Sequence, residues 1–335
     1  MPASVVIVAY NSGPALVRCL RALLDEGGEH ELIVVNNGNR APEIDEAAAL
    51  PSVQVLEPGE NLGFAAGSNY GAERASRDTL FFLNPDAVVA PGAVTRLIDA
   101  LDDDSIAIAM GRLRELDRPE LLNAAGCVIH ISGIAWSDGY GEPADSIAVR
   151  REITYANGSA LAIRTELFRA LGSFTPELFL YHEDLELGWR ARMRGYRIVL
   201  EPSADVFHEY DYGRNLRKNY FMERNRLIFI GSAYSLRLLL VLLPVLVAAE
   251  AGLLLVAWRQ GWLRDKLSGW AWCARNLRWV LAHRRRLQGE RTVRDRELAR
   301  HLTPRINPGM VAVPAFVARA NPLVAGYWSL ARRLL

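Results

Sequence analysis

Ser4-Val-Val-Ile-Val-Ala-Tyr-Asn11 is a run of β-branched residues that breaks abruptly into two polar ones. The run predicts a buried strand over Ser4–Ala9, and the break places Tyr10 and Asn11 at its carboxyl end. The same pattern recurs downstream. Gly13–Leu24 reads as an amphipathic helix, Glu31–Asn36 as a strand, Gly67–Ala75 as a helix and Thr79–Leu83 as a strand, and Pro91–Leu101 reads as a helix opened by proline. Short apolar strands alternating with helices predict an α/β fold, in which ligands meet the carboxyl ends of parallel strands. Those ends carry Tyr10-Asn11, Asn36-Asn37 and Asn84-Pro85-Asp86.

A second informative stretch runs from Tyr181-His-Glu-Asp-Leu-Glu-Leu-Gly-Trp-Arg190 to Val206-Phe-His208. It sets adjacent carboxylates, Glu183 and Asp184, at the start of a helix, followed by a strand near Arg197–Leu200 and a lone histidine. Two readings are open: acid/base chemistry beside a metal, or acidic residues favoured by the helix dipole, with Glu186 and Arg190 as a surface i,i+4 pair. Phe174, Phe179, Tyr181, Trp189 and Tyr196 crowd the same span, and an apolar wall beside a carboxylate favours a perturbed group. The run Asn61-Leu-Gly63-Phe-Ala-Ala-Gly67-Ser-Asn69 either lets backbone approach a diphosphate or nucleotide or makes a simple turn. Asp86 is either a hard ligand for a divalent cation or a cap before a proline-opened helix.

Composition bounds these readings. A chain of 335 residues, half of them apolar, can bury a large core and a second unit. Residues 1–210 hold 17 Lys/Arg against 31 Asp/Glu and residues 211–335 hold 22 against 7, so opposite net charges of −14 and +15 hide within an overall +1. Cys19, Cys127 and Cys273 are odd in number and widely spaced, which fits structural cysteines in a reducing compartment. With a strand beginning almost at Met1, no leader is expected, and the catalytic unit is expected in the cytoplasm.

The ordered set Val-Ala-Tyr-Asn (8–11), Val-Val-Asn-Asn (34–37), Asn-Leu-Gly-Phe (61–64), Leu-Asn-Pro-Asp (83–86), Asn-Gly-Ser-Ala (157–160), Tyr-His-Glu-Asp (181–184) and Val-Phe-His (206–208) resembles family-2 inverting glycosyltransferases, most of all their rhamnosyltransferase-like branch. The resemblance covers about residues 3–230. It implies a GT-A fold, a Rossmann-like mixed sheet with flanking helices, as a catalytic domain over 1–230. It also implies a nucleotide-sugar donor, a Mg²⁺ or Mn²⁺ cofactor, and transfer with inversion to an acceptor hydroxyl. By position, Asp86 would hold the cation with His208, and Asp184 would be the general base beside Glu183. Tyr10, Asn11, Asn36, Asn61, Gly63 and Asn84 would meet the nucleotide sugar. The chain departs from the family at Asn36 and Asn84, where aspartate is usual; an amide offers both donor and acceptor there, which bears on nucleotide preference. The donor read from the resemblance is dTDP-rhamnose, with UDP-galactofuranose, a UDP-hexose or a silent nucleotide-sugar-binding subunit as alternatives. The acceptor read is a lipid-linked or growing surface polysaccharide; Trp136, Tyr140 and Asn157 are candidate contacts for it, with core packing an equal reading for the two aromatics.

The remainder, 231–335, is read as a basic, apolar helical region. Leu238 to Trp258 is long enough to cross a bilayer, though Pro244 and Glu250 argue against a simple span. Trp262, Trp270, Trp272 and Trp279 intermingle with Arg275, Arg278, Arg284, Arg285 and Arg286, as in a helix lying on an anionic membrane surface. Arginine clusters also suit nucleic acid, but the apolar run favours lipid, so nucleic acid is not an expected partner. A helical subdomain packed on the catalytic unit is the other reading. The whole is expected on the cytoplasmic side of the membrane, peripheral or partly embedded.

Overall fold

The ten residues from Ser4 to Gly13 fold as expected: β1 (Ser4–Ala9) is buried along its whole length, and Pro14 then opens α1 (Pro14–Asp25) from its first turn. The structure is a computed structural model that describes residues 2–38, 41–209, 217–309 and 313–335. The chain divides into two compact units, the first Met1–Cys127, Ser137–Ala191 and Tyr196–Asp211, the second the remainder.

In the first unit, β2 (Glu31–Asn36), α2 (Pro42–Ala48), β3 (Val53–Leu56), α3 (Gly63–Ala72), β4 (Thr79–Leu83), β5 (Ala87–Val89), α4 (Ala93–Asp99), β6 (Ile106–Glu115) and β7 (Leu122–Ala124) follow in order. β8 (Cys127–His130) and β9 (Ala135–Ser137) lie mostly in the second unit, and the first resumes with β10 (Arg151–Glu152), β11 (Ala160–Arg164), α5 (Thr165–Ala170), α6 (Glu183–Met193) and β12 (Arg197–His208). The sheet runs β10-β12-β6-β11-β4-β1-β2-β3, with β5 on β12 and β7 on β6. β1 to β4 pair in parallel, whereas β11 is antiparallel to both β4 and β6, so the sheet is mixed, as the GT-A resemblance implies.

Side chains that are almost wholly buried, among them Phe81, Phe82, Phe168, Leu16 and Leu20, fill the core around this sheet. The helix expected over 67–75 begins earlier, at Gly63, and the strand expected over 197–200 continues to His208. β12 passes Pro202, which lacks a ladder N–H, by a register shift between Glu201 and Asp205. Arg112 and Arg114 of β6 grip Asp205 just after the shift, at 2.6 and 2.8 Å. Beyond it β12 pairs with β5, His208 opposite Ala87, which brings the histidine back to the end of β4.

The second unit is mainly helical: α7 (Lys218–Ala233), α8 (Leu236–Arg259), α9 (Leu263–Arg275), α10 (Leu277–Gly289), α11 (Asp295–Leu298) and α12 (Ala315–Ala331), with β13 (Leu302–Thr303) adding to β8 in a small sheet. The boundary expected at residue 230 falls inside α7. Ser235 caps α8, accepting from the Leu238 N–H at 2.9 Å, and the helix runs through Pro244 without a break. Glu250 resolves the oddity of an acid in this apolar helix. It pairs with Arg226 of α7 and, at 2.9 Å, with Lys266 of α9, while Glu223 binds both cations, at 3.1 and 2.5 Å. Glu250 itself is half-buried, and the buried Arg226 and Lys266 are tolerated because both carboxylates lie against them. Arg284 of α10 donates to the carbonyls of Gly231 and Tyr234 at 2.8 and 2.6 Å, satisfying the carboxyl end of α7.

Candidate active site

Parallel register sets the carboxyl ends of β1, β2 and β4 side by side, Ala9 beside Asn36 and Val6 beside Phe82. Just beyond β1, Tyr10 is 53% exposed and free to face a planar ligand, and Asn11 turns the chain with a φ of 49°. Asn36 is buried at the end of β2. Its Nδ2 donates to both carboxylate oxygens of Glu57, at 3.1 and 3.0 Å, and its Oδ1 accepts from the Gly38 N–H at 3.1 Å. The carboxylate at this strand edge therefore belongs to Glu57, which the sequence reading missed. The only signal for it was β3, four residues long and half-buried, too short to stand out as a strand.

The glycines after Asn61 have packing reasons. Gly63 has a φ of +73°, and a Cβ there would lie 2.5 Å from the Phe179 carbonyl oxygen and 2.6 Å from its ring. Asn61 Oδ1 accepts from the Gly63 N–H at 2.9 Å, and Asn37 donates to the Gly63 carbonyl at 2.7 Å. A Cβ at Gly67 would press on Asn37, and one at Gly71 on Val6 and Val35, so both glycines let α3 lie close on the sheet. Asn69 of α3 brackets Phe174, donating to its carbonyl at 2.8 Å and accepting from its N–H at 3.0 Å.

α3 is thereby fastened to the segment that leads into α6. That segment carries four non-glycine residues in the left-handed region, Ser173, Phe179, Tyr181 and His182, with φ of 57°, 64°, 68° and 70°. Such backbone costs of order 1–3 kcal/mol per residue and persists only where its surroundings hold it. Glu186 and Arg190 help to hold it. A surface pair in the helix-dipole reading, they are instead buried, their side chains 1% and 2% exposed and 3.4 Å apart. Arg190 donates to the carbonyls of Leu171 and Ser173, both at 2.5 Å, and Glu186 accepts from Thr175 at 2.6 Å. Their burial follows from those bonds: the irregular backbone needs donors where no helix or sheet supplies them.

The strained run delivers Glu183 and Asp184 to the first turn of α6. Asp184 accepts from the Gly158 N–H through Oδ2 at 2.9 Å and from the Leu185 N–H through Oδ1 at 2.7 Å. Its pKa is raised from the ordinary carboxylate value by desolvation, with the two backbone donors acting against the rise. Glu183 is buried, and its Oε2 has no hydrogen-bond partner among the described residues. Burial first, and the neighbouring Asp184 charge second, push its pKa well above the usual range. The aromatic wall is only partly as expected. Phe174 packs into the core against Phe64, Phe82 and Phe168, and Trp189 is buried, while the Phe64 ring approaches Gly158 beside Asp184.

The loop that supplies Gly158 also ties Asp184 to the end of β4. Ser159 donates to Asn157 Oδ1 at 2.6 Å and accepts from Asn84 Nδ2 at 3.2 Å. Asn84 Nδ2 also lies 3.3 Å from His208 Nε2, which is itself 3.3 Å from Asp86 Oδ1, and Nδ1 of His208 meets Asn123 at 3.3 Å. Asn157, Ser159, Asn84, His208 and Asp86 thus form one connected polar chain, and Asp184 meets its loop through the Gly158 N–H. Of the candidate acceptor contacts, Asn157 enters it, whereas Tyr140 bonds Glu115 and Trp136 belongs to the second unit.

Among the described residues no group of three or more His, Cys, Asp or Glu gathers as a metal cluster. The pair Asp86–His208 nonetheless fits a hard cation. Ligands about 2.1 Å from an octahedral ion and at right angles lie ~3 Å apart, and Mg²⁺ commonly takes one or two protein ligands with phosphates and waters.

A sequence profile described as Glycosyl transferase family 2 matches residues 4–171. The chain is 29% identical over 235 residues to an N-acetylglucosaminyl-diphospho-decaprenol L-rhamnosyltransferase of Mycobacterium tuberculosis, covering 61% of this chain and 75% of that one. It is 22% identical over 250 residues to a low-salt glycan biosynthesis hexosyltransferase, Agl10, of Haloferax volcanii, covering 69% and 76%. Among solved structures it is similar to GalNAc-T7 with UDP, GalNAc and Mn²⁺, at 18% identity and a TM-score of 0.58 over 69% of this chain and 48% of that one. It is also similar to residues 1–349 of TarS from S. aureus, at 12% identity and a TM-score of 0.51 over 100% and 89%. With a mixed sheet like that of the GT-A enzymes and a family profile over half its length, this chain belongs to glycosyl transferase family 2 and is a glycosyltransferase.

Proposed function

We propose that this glycosyltransferase moves a sugar, most fittingly rhamnose from dTDP-rhamnose, with inversion onto a hydroxyl of a lipid-linked or growing surface glycan. The observation that carries the reading is the setting of Asp184, a carboxylate held by two backbone N–H groups and linked through residues 157–159 to Asn84 and the Asp86–His208 pair. The similarity to the decaprenol-linked rhamnosyltransferase supports the sugar and the kind of acceptor.

In this reading Tyr10 stacks on the nucleobase, and Asn11, Asn36, Asn61, Gly63 and Asn84 line the donor's path. A divalent cation, Mg²⁺ or Mn²⁺, held by Asp86 and His208, would neutralise charge on the leaving nucleoside diphosphate. Asp184 accepts the proton of the acceptor hydroxyl as that oxygen attacks the anomeric carbon from the face opposite the diphosphate. A raised pKa makes it the stronger base. Burial raises Glu183 further above its ordinary value than Asp184, so Asp184 is the carboxyl of the pair that gives up its proton at the lower pH. Two backbone donors fix both oxygens of the base before substrate arrives.

Membrane association belongs to the same proposal. α8 is the one helix among the described residues long and apolar enough to cross a bilayer. Its Glu250 is locked to Arg226 and Lys266, so a span would carry the charged helices α7 and α9 into the hydrocarbon. Lying on the cytoplasmic face, with its exposed leucines in the lipid, α8 needs no such burial.

The test is Asp184→Asn. Transfer should fall by about 10²–10⁴-fold while donor binding, followed by calorimetry with and without Mn²⁺, stays near that of the parent protein. Full transfer by the variant would remove the assignment. Donor binding without transfer or donor hydrolysis in the parent itself would favour a nucleotide-sugar-binding subunit instead.

A further inference from the structure

Of the fifteen large apolar side chains that stand exposed among the described residues, ten lie on α8, on α12 and on the turn that follows it. Apolar surface so concentrated marks a place of contact. Both helices belong to the second unit, and they pack against each other. The Tyr327 hydroxyl of α12 donates to the Val241 carbonyl of α8, and a Cβ on Gly252 would lie 3.8 Å from the Phe316 ring. The late part of α12 thus meets the early part of α8, and the early part of α12 the late part of α8, so the pair is antiparallel. Along α12, Phe316, Leu323 and Leu330 recur every seven residues and make one exposed stripe, of which Leu323, at 77%, is the most open of all fifteen.

Charge sets the kind of partner. After Glu297 the chain carries no acid and five arginines. The antiparallel register brings the exposed Arg237, one turn ahead of Val241, level with the exposed Arg332 and Arg333, little more than a turn beyond Tyr327. Asp295, which accepts from the α8 cap Ser235 at 2.7 Å, is already paired with Arg291 at 2.8 Å. One end of the apolar pair therefore carries three exposed cations, the combination that suits anionic headgroups above acyl chains. Length decides the orientation. α12 has seventeen residues, with Arg319 exposed in its second turn. At about 25 Å it falls short of the ~30 Å hydrocarbon core, so it suits the plane of an interface and not a crossing.

We infer that α8 and α12 together form a two-helix plate that rests on an anionic bilayer, with the apolar stripes of both helices in the acyl region and Arg237, Arg332 and Arg333 on lipid phosphates at one end. The inference rests on the membrane reading above and adds to it a second helix and a headgroup charge.

Co-sedimentation of the full chain with sucrose-loaded vesicles tests this, the vesicles being phosphatidylcholine alone or equal parts of phosphatidylcholine and phosphatidylglycerol. Leu323→Glu with Leu330→Glu should weaken binding to the mixed vesicles by about tenfold or more. Arg237→Gln, Arg332→Gln and Arg333→Gln together should weaken it by about a hundredfold, and should leave binding to phosphatidylcholine alone as in the parent. All five side chains are exposed, so the melting temperature should stay that of the parent. If the parent binds neither kind of vesicle, the membrane reading itself fails. If the parent binds, and Leu240→Glu with Val247→Glu releases it while the α12 leucine variant stays bound, α8 alone makes the contact and the plate is overturned. Equal parent affinity for both vesicles, or an arginine variant that keeps full affinity, overturns the headgroup assignment. A parent dimer in sedimentation velocity that the α12 leucine variant dissociates, with vesicle binding unchanged, assigns the stripe to a second copy of the chain and overturns the lipid reading.

Discussion

Glu183 and Asp184 are neighbours in sequence, yet their surroundings divide them. Asp184 has two backbone donors, whereas Glu183 is buried with one oxygen lacking a partner among the described residues. A carboxyl whose folded pKa lies above its unfolded value stabilises the fold only while protonated. That contribution is whole below the ordinary carboxylate pKa and is lost as pH rises toward the raised value. Glu183→Gln should therefore match the parent in thermal stability near pH 4 and exceed it by about 2 °C or more at pH 8, read as melting temperatures across pH. Asn36 makes the opposite case, a neutral group where charge is already present. Asn36→Asp would set a second carboxylate against Glu57, which now accepts from Asn36 at 3.0 Å. The variant should lose stability at pH 7 and regain it in the double variant with Glu57→Gln, a coupling that a double-mutant cycle measures directly.

At the scale of elements, α3 and the segment before α6 behave as one piece. Gly63 is the joint: its positive φ and its closeness to Phe179 both exclude a side chain. Gly63→Ala should cost about 1–3 kcal/mol in denaturant unfolding. It should also reduce transfer, since Phe179 lies five residues from Asp184; a neutral effect on both would contradict the joint. Sequence pattern located β1, α1, β2 and β4 within a residue or two, because their apolar runs are continuous or strongly amphipathic. It passed over β3 and α2, which are short and bury few side chains. One of the two readings it left open put Glu186 and Arg190 at the surface, since helical spacing alone does not say what covers a face.

For the whole molecule, the contrast between an acidic first part and a basic second part is the coarse feature, and the apolar helix α8 within the basic part is where the proposed membrane contact is tested. Leu240 and Val247 stand 63% and 62% exposed on its outer face. The parent protein should float with vesicles containing phosphatidylglycerol, and Leu240→Glu with Val247→Glu should abolish flotation without shifting the melting temperature. Flotation that survives both changes would assign membrane contact to other surfaces.

The sequence by itself determined the α/β class, the family and the identity of the polar residues at the strand ends, because these depend on local periodicity and on motifs in fixed order. Only the tertiary structure decided that His208 meets Asp86, that Glu57 rather than Asn36 carries the charge beside β2, and that Glu250 is neutralised by Arg226 and Lys266. Each of these joins residues 16 to 122 positions apart, through a strand register or a helix packing that no local pattern encodes.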